Sequence, residues 1–153
     1  MAQVVGLKKE KVAFSFIFNN LSMLSEFTKP LSNEVYKLMR KNLPGPFTFI
    51  VEGNNNIPKI FHNKKRTVGI RIPDNNIVSA ITAGLGHPLL TTSIHSPDEI
   101  VEYMTDPEEI RETFGRNVDI IIDGGFGDNQ PSTIIDCTGD EIEITRHGKG
   151  ILQ

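Results

Sequence analysis

The stretch RTVGIRIPDN, residues 66–75, read with HPLLTTSIHS, residues 87–96, decides how this chain folds. The first half alternates from Thr67 to Ile72. Val68, Ile70 and Ile72 point one way, and Thr67, Gly69 and Arg71 point the other, as in a strand with one buried face. The second half, Leu89 to His95, places Thr91, Ser93 and His95 on one face of a second strand. Between them Pro73-Asp74-Asn75 turns the chain and caps a helix from Asn76 to about Ala83, which Gly84 and Gly86 stop. If both strands lie in one sheet, an arginine and a row of hydroxyls line a shared surface. Guanidinium and hydroxyl groups donate to phosphate or carboxylate oxygens, so that surface suits an anion. The competing reading is a solvated strand arginine beside a Thr/Ser run that simply favours β structure.

Working outward, Phe14–Phe18 (FSFIF) alternates as a strand, and Asn19 or Asn20 caps the short helix NLSMLSEF that Pro30 ends. Ser32 is an N-cap for NEVYKLMRKNL, whose Val35, Leu38 and Met39 form an apolar stripe. Pro44-Gly45-Pro46 stops that helix, and Phe47–Val51 follows as a strand. Gly53 and Asn54-Asn55-Asn56 make a turn, and Ile57–His62 a short helix or turn. A helix over Asp98–Met104 is capped by Ser96, and Asp106-Pro107-Glu108-Glu109 opens another that ends at Gly115. Val118–Ile122 (VDIII) reads as a buried strand. A glycine-rich loop, a strand over Ser132–Asp136, a turn at Gly139-Asp140 and an alternating strand Glu141–Arg146 complete the chain. The mixture of strands and helices predicts an α/β (α+β) fold with a twisted mixed sheet, flanking helices and a concave ligand face.

The 153 residues fit a single domain spanning 1–153, with 38% hydrophobic and 23% charged residues and a formal net charge of −3. That balance gives no global attraction to nucleic acid, although Lys8, Lys9 and Lys11, then Lys37, Arg40 and Lys41, then Lys64, Lys65 and Arg66 form local basic clusters. One cysteine, Cys137, excludes an internal disulfide and points to a reducing, cytoplasmic setting. No apolar run approaches the roughly 18 residues of a membrane span. The four histidines, His62, His87, His95 and His147, lack zinc-ligand spacing, so no protein-built metal site is expected. Gly124-Gly125-Phe126-Gly127 is neither a Walker loop nor a dinucleotide fingerprint, because no lysine-serine pair and no immediate helix follow it.

Five segments taken in order resemble the YrdC-type domain: KNLPGPFTFIV, TVGIRIPDN, PLLTTSIHS, VDIIIDGGFGDNQPSTIIDCT and ITRHGKG. Together they span nearly all of residues 5–150. The family includes L-threonylcarbamoyladenylate synthase, which makes a precursor for tRNA modification. The SIH segment in place of Ser-x-Asn, and the DPEEI helix, are similar to the YciO branch. The resemblance implies ATP with Mg²⁺, L-threonine and bicarbonate as substrates, with no tightly bound cofactor. It implies threonine contacts at Arg71, Thr91 and Ser132 and ATP contacts at Lys11, Thr67, Ser93 and Arg146, with His95 lining the site where the family has asparagine. The implied chemistry is carbamate attack on the α-phosphate with loss of pyrophosphate. It needs no nucleophilic residue, only positioning and electrostatics.

The family's upstream strand and Pro-Thr-Asp-Thr-type loop have no counterpart here, and its Lys-x-Arg pair is replaced or displaced into Lys8-Lys9. A truncated domain is therefore expected, with impaired synthesis and an exposed sheet edge that favours a homodimer. The rival reading is a non-catalytic module of the same fold that binds double-stranded RNA, tRNA or nucleotide.

Overall fold

The computed structural model describes residues 14–58, 61, 66–94 and 103–153. Its contacts group the chain into two units, 14–91 with 131–153, and 1–13 with 92–130. The first unit carries the sheet. Its elements are β1 (Ser15–Ile17), α1 (Leu24–Phe27) after a 3-10 turn at Leu21–Met23, α2 (Asn33–Asn42), β2 (Phe47–Glu52), β3 (Thr67–Arg71), α3 (Asn76–Leu85), β4 (Leu89–Thr91), β5 (Thr133–Asp136) and β6 (Glu143–Arg146). The second unit contains α4 (Pro107–Phe114).

The helix starts follow their capping chemistry. Asn20 accepts from Ser22 N, Ser32 from Val35 N, Asn75 from Val78 N and Asp106 from Glu108 N. Each side chain satisfies an amide that the first turn leaves without an intrahelical partner. Gly86 ends α3 with φ +68°, a left-handed C-cap that glycine reaches without a Cβ clash.

The strands pair in the order β4-β1-β3-β2-β5-β6. β1 runs parallel to β3 and β2 parallel to β5, while the other three pairings are antiparallel, giving the mixed sheet that the sequence predicts. The alternation read in residues 67–71 separates the two faces. Val68 and Ile70 join Phe16, Phe47, Phe49, Val51 and Ile135 in one apolar cluster, which Leu24, Val35 and Met39 cover from α1 and α2. Phe49, Ile70, Ile135 and Met39 are each 0% exposed. On the opposite face the register aligns Leu89, Ile17, Arg71 and Thr48 in one row across four strands, and Thr91, Ser15, Gly69 and Ile50 in the next.

The C-terminal residues strap onto β5. Thr133 Oγ1 donates to Gly150 O at 2.6 Å, and Gly148 N donates to Thr133 Oγ1 at 3.1 Å. Gly148 passes so close that an added Cβ would lie 2.6 Å from the Ser132 carbonyl carbon, which accounts for glycine there.

Two expectations are corrected. Val118–Ile122 is not a strand and is not buried. Val118, Ile120 and Ile122 are 46%, 77% and 57% exposed. An apolar β-branched run acquires strand structure only against a hydrogen-bonding partner, and among the described residues none pairs with it. The strand expected over Leu89–His95 ends at Thr91, because its partner β1 supplies only three residues and the ladder closes at Ser15–Thr91. The helix expected over Asp98–Met104 lies mostly outside the described residues, and so does most of Ile57–His62. Other boundaries move by a few residues: β6 opens at Glu143, and α3 runs two residues further, to Leu85.

Candidate functional site

β3 sets Arg71 on the non-core face because its neighbours Ile70 and Ile72 are committed to the core. On that face Arg71 lies directly between Ile17 of β1 and Thr48 of β2. Its guanidinium is half-sequestered, and Nε is buried without a hydrogen-bond partner among the described residues. Burial holds its pKa below the ordinary arginine value, and the Arg146 charge lowers it further. The charge acting most on this cation is therefore another cation. An unpaired buried donor beside a like charge costs stability, and an anion seated between the two would relieve both penalties.

Arg146 comes from the end of β6, opposite Ile134 of β5. Its Nε and Nη2 both donate to Ser132 O, at 3.1 and 2.8 Å, and Nη2 also reaches Ser132 Oγ at 3.2 Å. Ser132 Oγ lies 2.8 Å from Thr48 Oγ1. Arg71, Thr48, Ser132 and Arg146 thus form one cluster over β3, β2, β5 and β6.

A second hydroxyl pair lies on the other flank of β3. Thr91 Oγ1 donates to Ser15 O at 3.2 Å and lies 3.2 Å from Ser15 Oγ. Gly69 separates the two groups. A Cβ there would lie 3.1 Å from Ser15 Cβ and 3.2 Å from Thr48 Cγ2, so glycine keeps a bare strip of backbone between them. Thr91 and Ser132 stand on strands four spacings apart, about 19 Å at the strand separation of a sheet. Thr67 shares the face but is four residues, or about 13 Å, along β3 from Arg71.

Of the residues expected at a site, Arg71, Ser132 and Arg146 come together. Thr91 and Thr67 share their face at a distance. Ser93 is exposed beyond the end of β4, within the other unit, and is not a strand residue facing with Thr91. Lys11 and His95 lie outside the described residues. The structure adds Ser15 and Thr48, each paired with a hydroxyl from a distant segment. Among the described residues no group of three or more His, Cys, Asp or Glu could hold a metal ion, and the donors at the arginine cluster suit anions instead. Nor is any helix among them long and apolar enough to cross a membrane. Two clefts elsewhere, about 450 Å³ beside Thr105 and Phe126–Asn129 and about 330 Å³ beside Lys29, Glu52 and Cys137, are lined by none of these residues.

Residues 1–148 match the Sua5/YciO/YrdC family, described as "Telomere recombination". The chain is 38% identical to the uncharacterized protein YciO of Escherichia coli K12, over 90% of this chain and 66% of that protein. It is 36% identical to a protein of Methanocaldococcus jannaschii named as a proposed threonylcarbamoyl-AMP synthase, over 80% of this chain and 64% of that one. The chain thus spans about two thirds of the length of these relatives. The crystal structure of E. coli YciO superposes with a TM-score of 0.84 at 36% identity, covering 91% of this chain and 67% of that one. P. abyssi Sua5 complexed with L-threonine shares the fold, with a TM-score of 0.78 at 21% identity over 89% of this chain and 40% of that one.

Proposed function

The chain belongs to the Sua5/YciO/YrdC family, and from that premise we propose that the sheet face carrying Arg71 binds L-threonine and ATP for threonylcarbamoyl-AMP synthesis. The observation that carries this reading is Arg71, with a buried, unpartnered Nε and its charge opposed by Arg146. Such a pair is costly to keep and is relieved by an anion, of which the reaction supplies two: a carboxylate and a polyphosphate.

In the proposed arrangement the threonine sets its carboxylate on Arg71 and Ser132. Arg146 takes a phosphate of ATP, and Thr67 stands further along the same face of β3. Mg²⁺ arrives with the nucleotide. Threonine's amine captures bicarbonate to form a carbamate with loss of water, and a carbamate oxygen attacks the α-phosphate as the bond to pyrophosphate breaks. The residues named hold the reactants in line and stabilise charge on the phosphate, and none forms a covalent bond.

The test is thermal unfolding with ATP and Mg²⁺, alone and with L-threonine. Ligand binding to the native state raises Tm by mass action. The shift should be reduced in both Arg71→Ala and Arg146→Ala, and an unchanged shift in both variants removes the site. Pyrophosphate release that requires threonine and bicarbonate together establishes turnover. Retention of short RNA, weakening steeply with salt and without such turnover, supports the binding-module reading in its place.

A further inference from the structure

We propose that Thr48 is a positioning residue that turns the Ser132 hydroxyl hydrogen toward the ligand. The inference rests on the reading of the open face given above and deepens it. A serine hydroxyl has one hydrogen and two lone pairs. Arg146 Nη2 has only hydrogens to give, so at 3.2 Å it occupies one lone pair of Ser132 Oγ. The 2.8 Å contact between Thr48 Oγ1 and Ser132 Oγ admits either direction. If Ser132 donated, the Thr48 hydrogen would be left without a partner at a residue only 7% exposed, which costs a buried donor its hydration. If Thr48 donates, its hydrogen is satisfied and both Ser132 lone pairs are filled. Ser132, half-buried at the margin of the face, then has its hydrogen left to give. Thr48 is thus the donor, and Ser132 keeps its O–H to offer a ligand.

The Ser15–Thr91 pair has the opposite polarity. Thr91 spends its hydrogen on Ser15 O, so Ser15 Oγ donates to Thr91 Oγ1 and that flank shows lone pairs only. One flank of Gly69 therefore recognises oxyanions, and the other recognises N–H or O–H groups. Substituting Thr48 disturbs only the oxyanion flank.

The test is a double-mutant cycle read by calorimetric titration of L-threonine into the 153-residue chain. Thr48→Val keeps shape and β-branching while removing the donor. Thr48→Val and Ser132→Ala should each weaken binding about tenfold, the effect of one hydrogen bond to a charged group. The double variant should be no weaker than Ser132→Ala alone, and Thr48→Ser should restore most of the affinity. A structural role for Thr48 would not depend on the Ser132 hydroxyl. Wild-type affinity in Thr48→Val, or its full loss repeated in the Ser132→Ala background, overturns the proposal and leaves the site reading standing. Thr48→Ala replaces Thr48→Val in the cycle if the latter fails to fold. Failure of the wild-type chain to bind threonine overturns the site reading and this proposal with it.

Discussion

Ile70 and Arg71 are consecutive in β3, yet they belong to opposite faces with opposite energetics. Ile70 is 0% exposed among Phe49, Val68 and Ile135. Arg71 shares its face with Thr48, Ser15 and a bare glycine, and its Nε lacks a partner. The core face lowers free energy by removing apolar area from water. The face carrying Arg71 holds a buried donor with no partner among the described residues. A buried donor left without a partner and a desolvated cation beside a like charge cost stability, so the contrast separates residues that stabilise the fold from one that does not.

Substitutions on either side of that divide should therefore differ in kind. The largest effect is expected in the core. Phe49→Ala should cost about 3–5 kcal/mol, read as a fall in the urea midpoint with the slope unchanged. A loss under about 1 kcal/mol would mean that the core face tolerates a cavity and is not what holds the sheet together. On the open face, Arg71→Met should leave stability unchanged or raise it by about 1 kcal/mol, because a desolvated cation with an unmet donor is replaced by an apolar chain. The same variant should lose the further rise in Tm that L-threonine adds to ATP and Mg²⁺. A large destabilisation would place Arg71 among the structural residues and erase the contrast.

The smallest effect concerns the boundary between the faces. Cys137 packs against the apolar cluster just after Asp136. Burial, then the Asp136 carboxylate, push its thiol up to about 11. Between the ordinary thiol range and that value the unfolded chain ionises while the folded chain stays protonated. Stability should thus fall as pH rises through this window and be unaffected by Cys137 below it. Cys137→Ala should show a shallower decline there. Wild-type alkylation by iodoacetamide should be slow at pH 8 and quicken toward pH 11. Rapid reaction at pH 8 would show that the carboxylate and the core do not reach the thiol.

The reading of residues 67–71 succeeded where that of 118–122 failed, and the reason lies outside both segments. Each is rich in β-branched residues. Thr67–Arg71 finds β1 on one side and β2 on the other, and its alternation becomes a two-faced strand. Val118–Ile122 has no paired neighbour among the described residues and stays mostly exposed. Leu89–His95 is intermediate, since it pairs for three residues and stops where β1 stops. Caps fared better, because an Asn, Ser or Asp side chain reaches an amide two or three residues away. The family resemblance singled out Arg71, Ser132 and Arg146, which the structure brings near one another. Thr48 and Ser15 were not legible, since each matters through a hydroxyl 84 or 76 residues distant.

What the sequence determined alone is local and periodic: the helix starts, the face on which Arg71 stands, the mixed class of the sheet and the family. Those depend on backbone geometry and on contacts within a few residues. Which strands pair, where each ladder stops, and which hydroxyl donates to which were decided by the tertiary structure. A ladder bond or a buried hydroxyl pair exists only when distant segments meet in one register, and that register is set by the core they jointly bury.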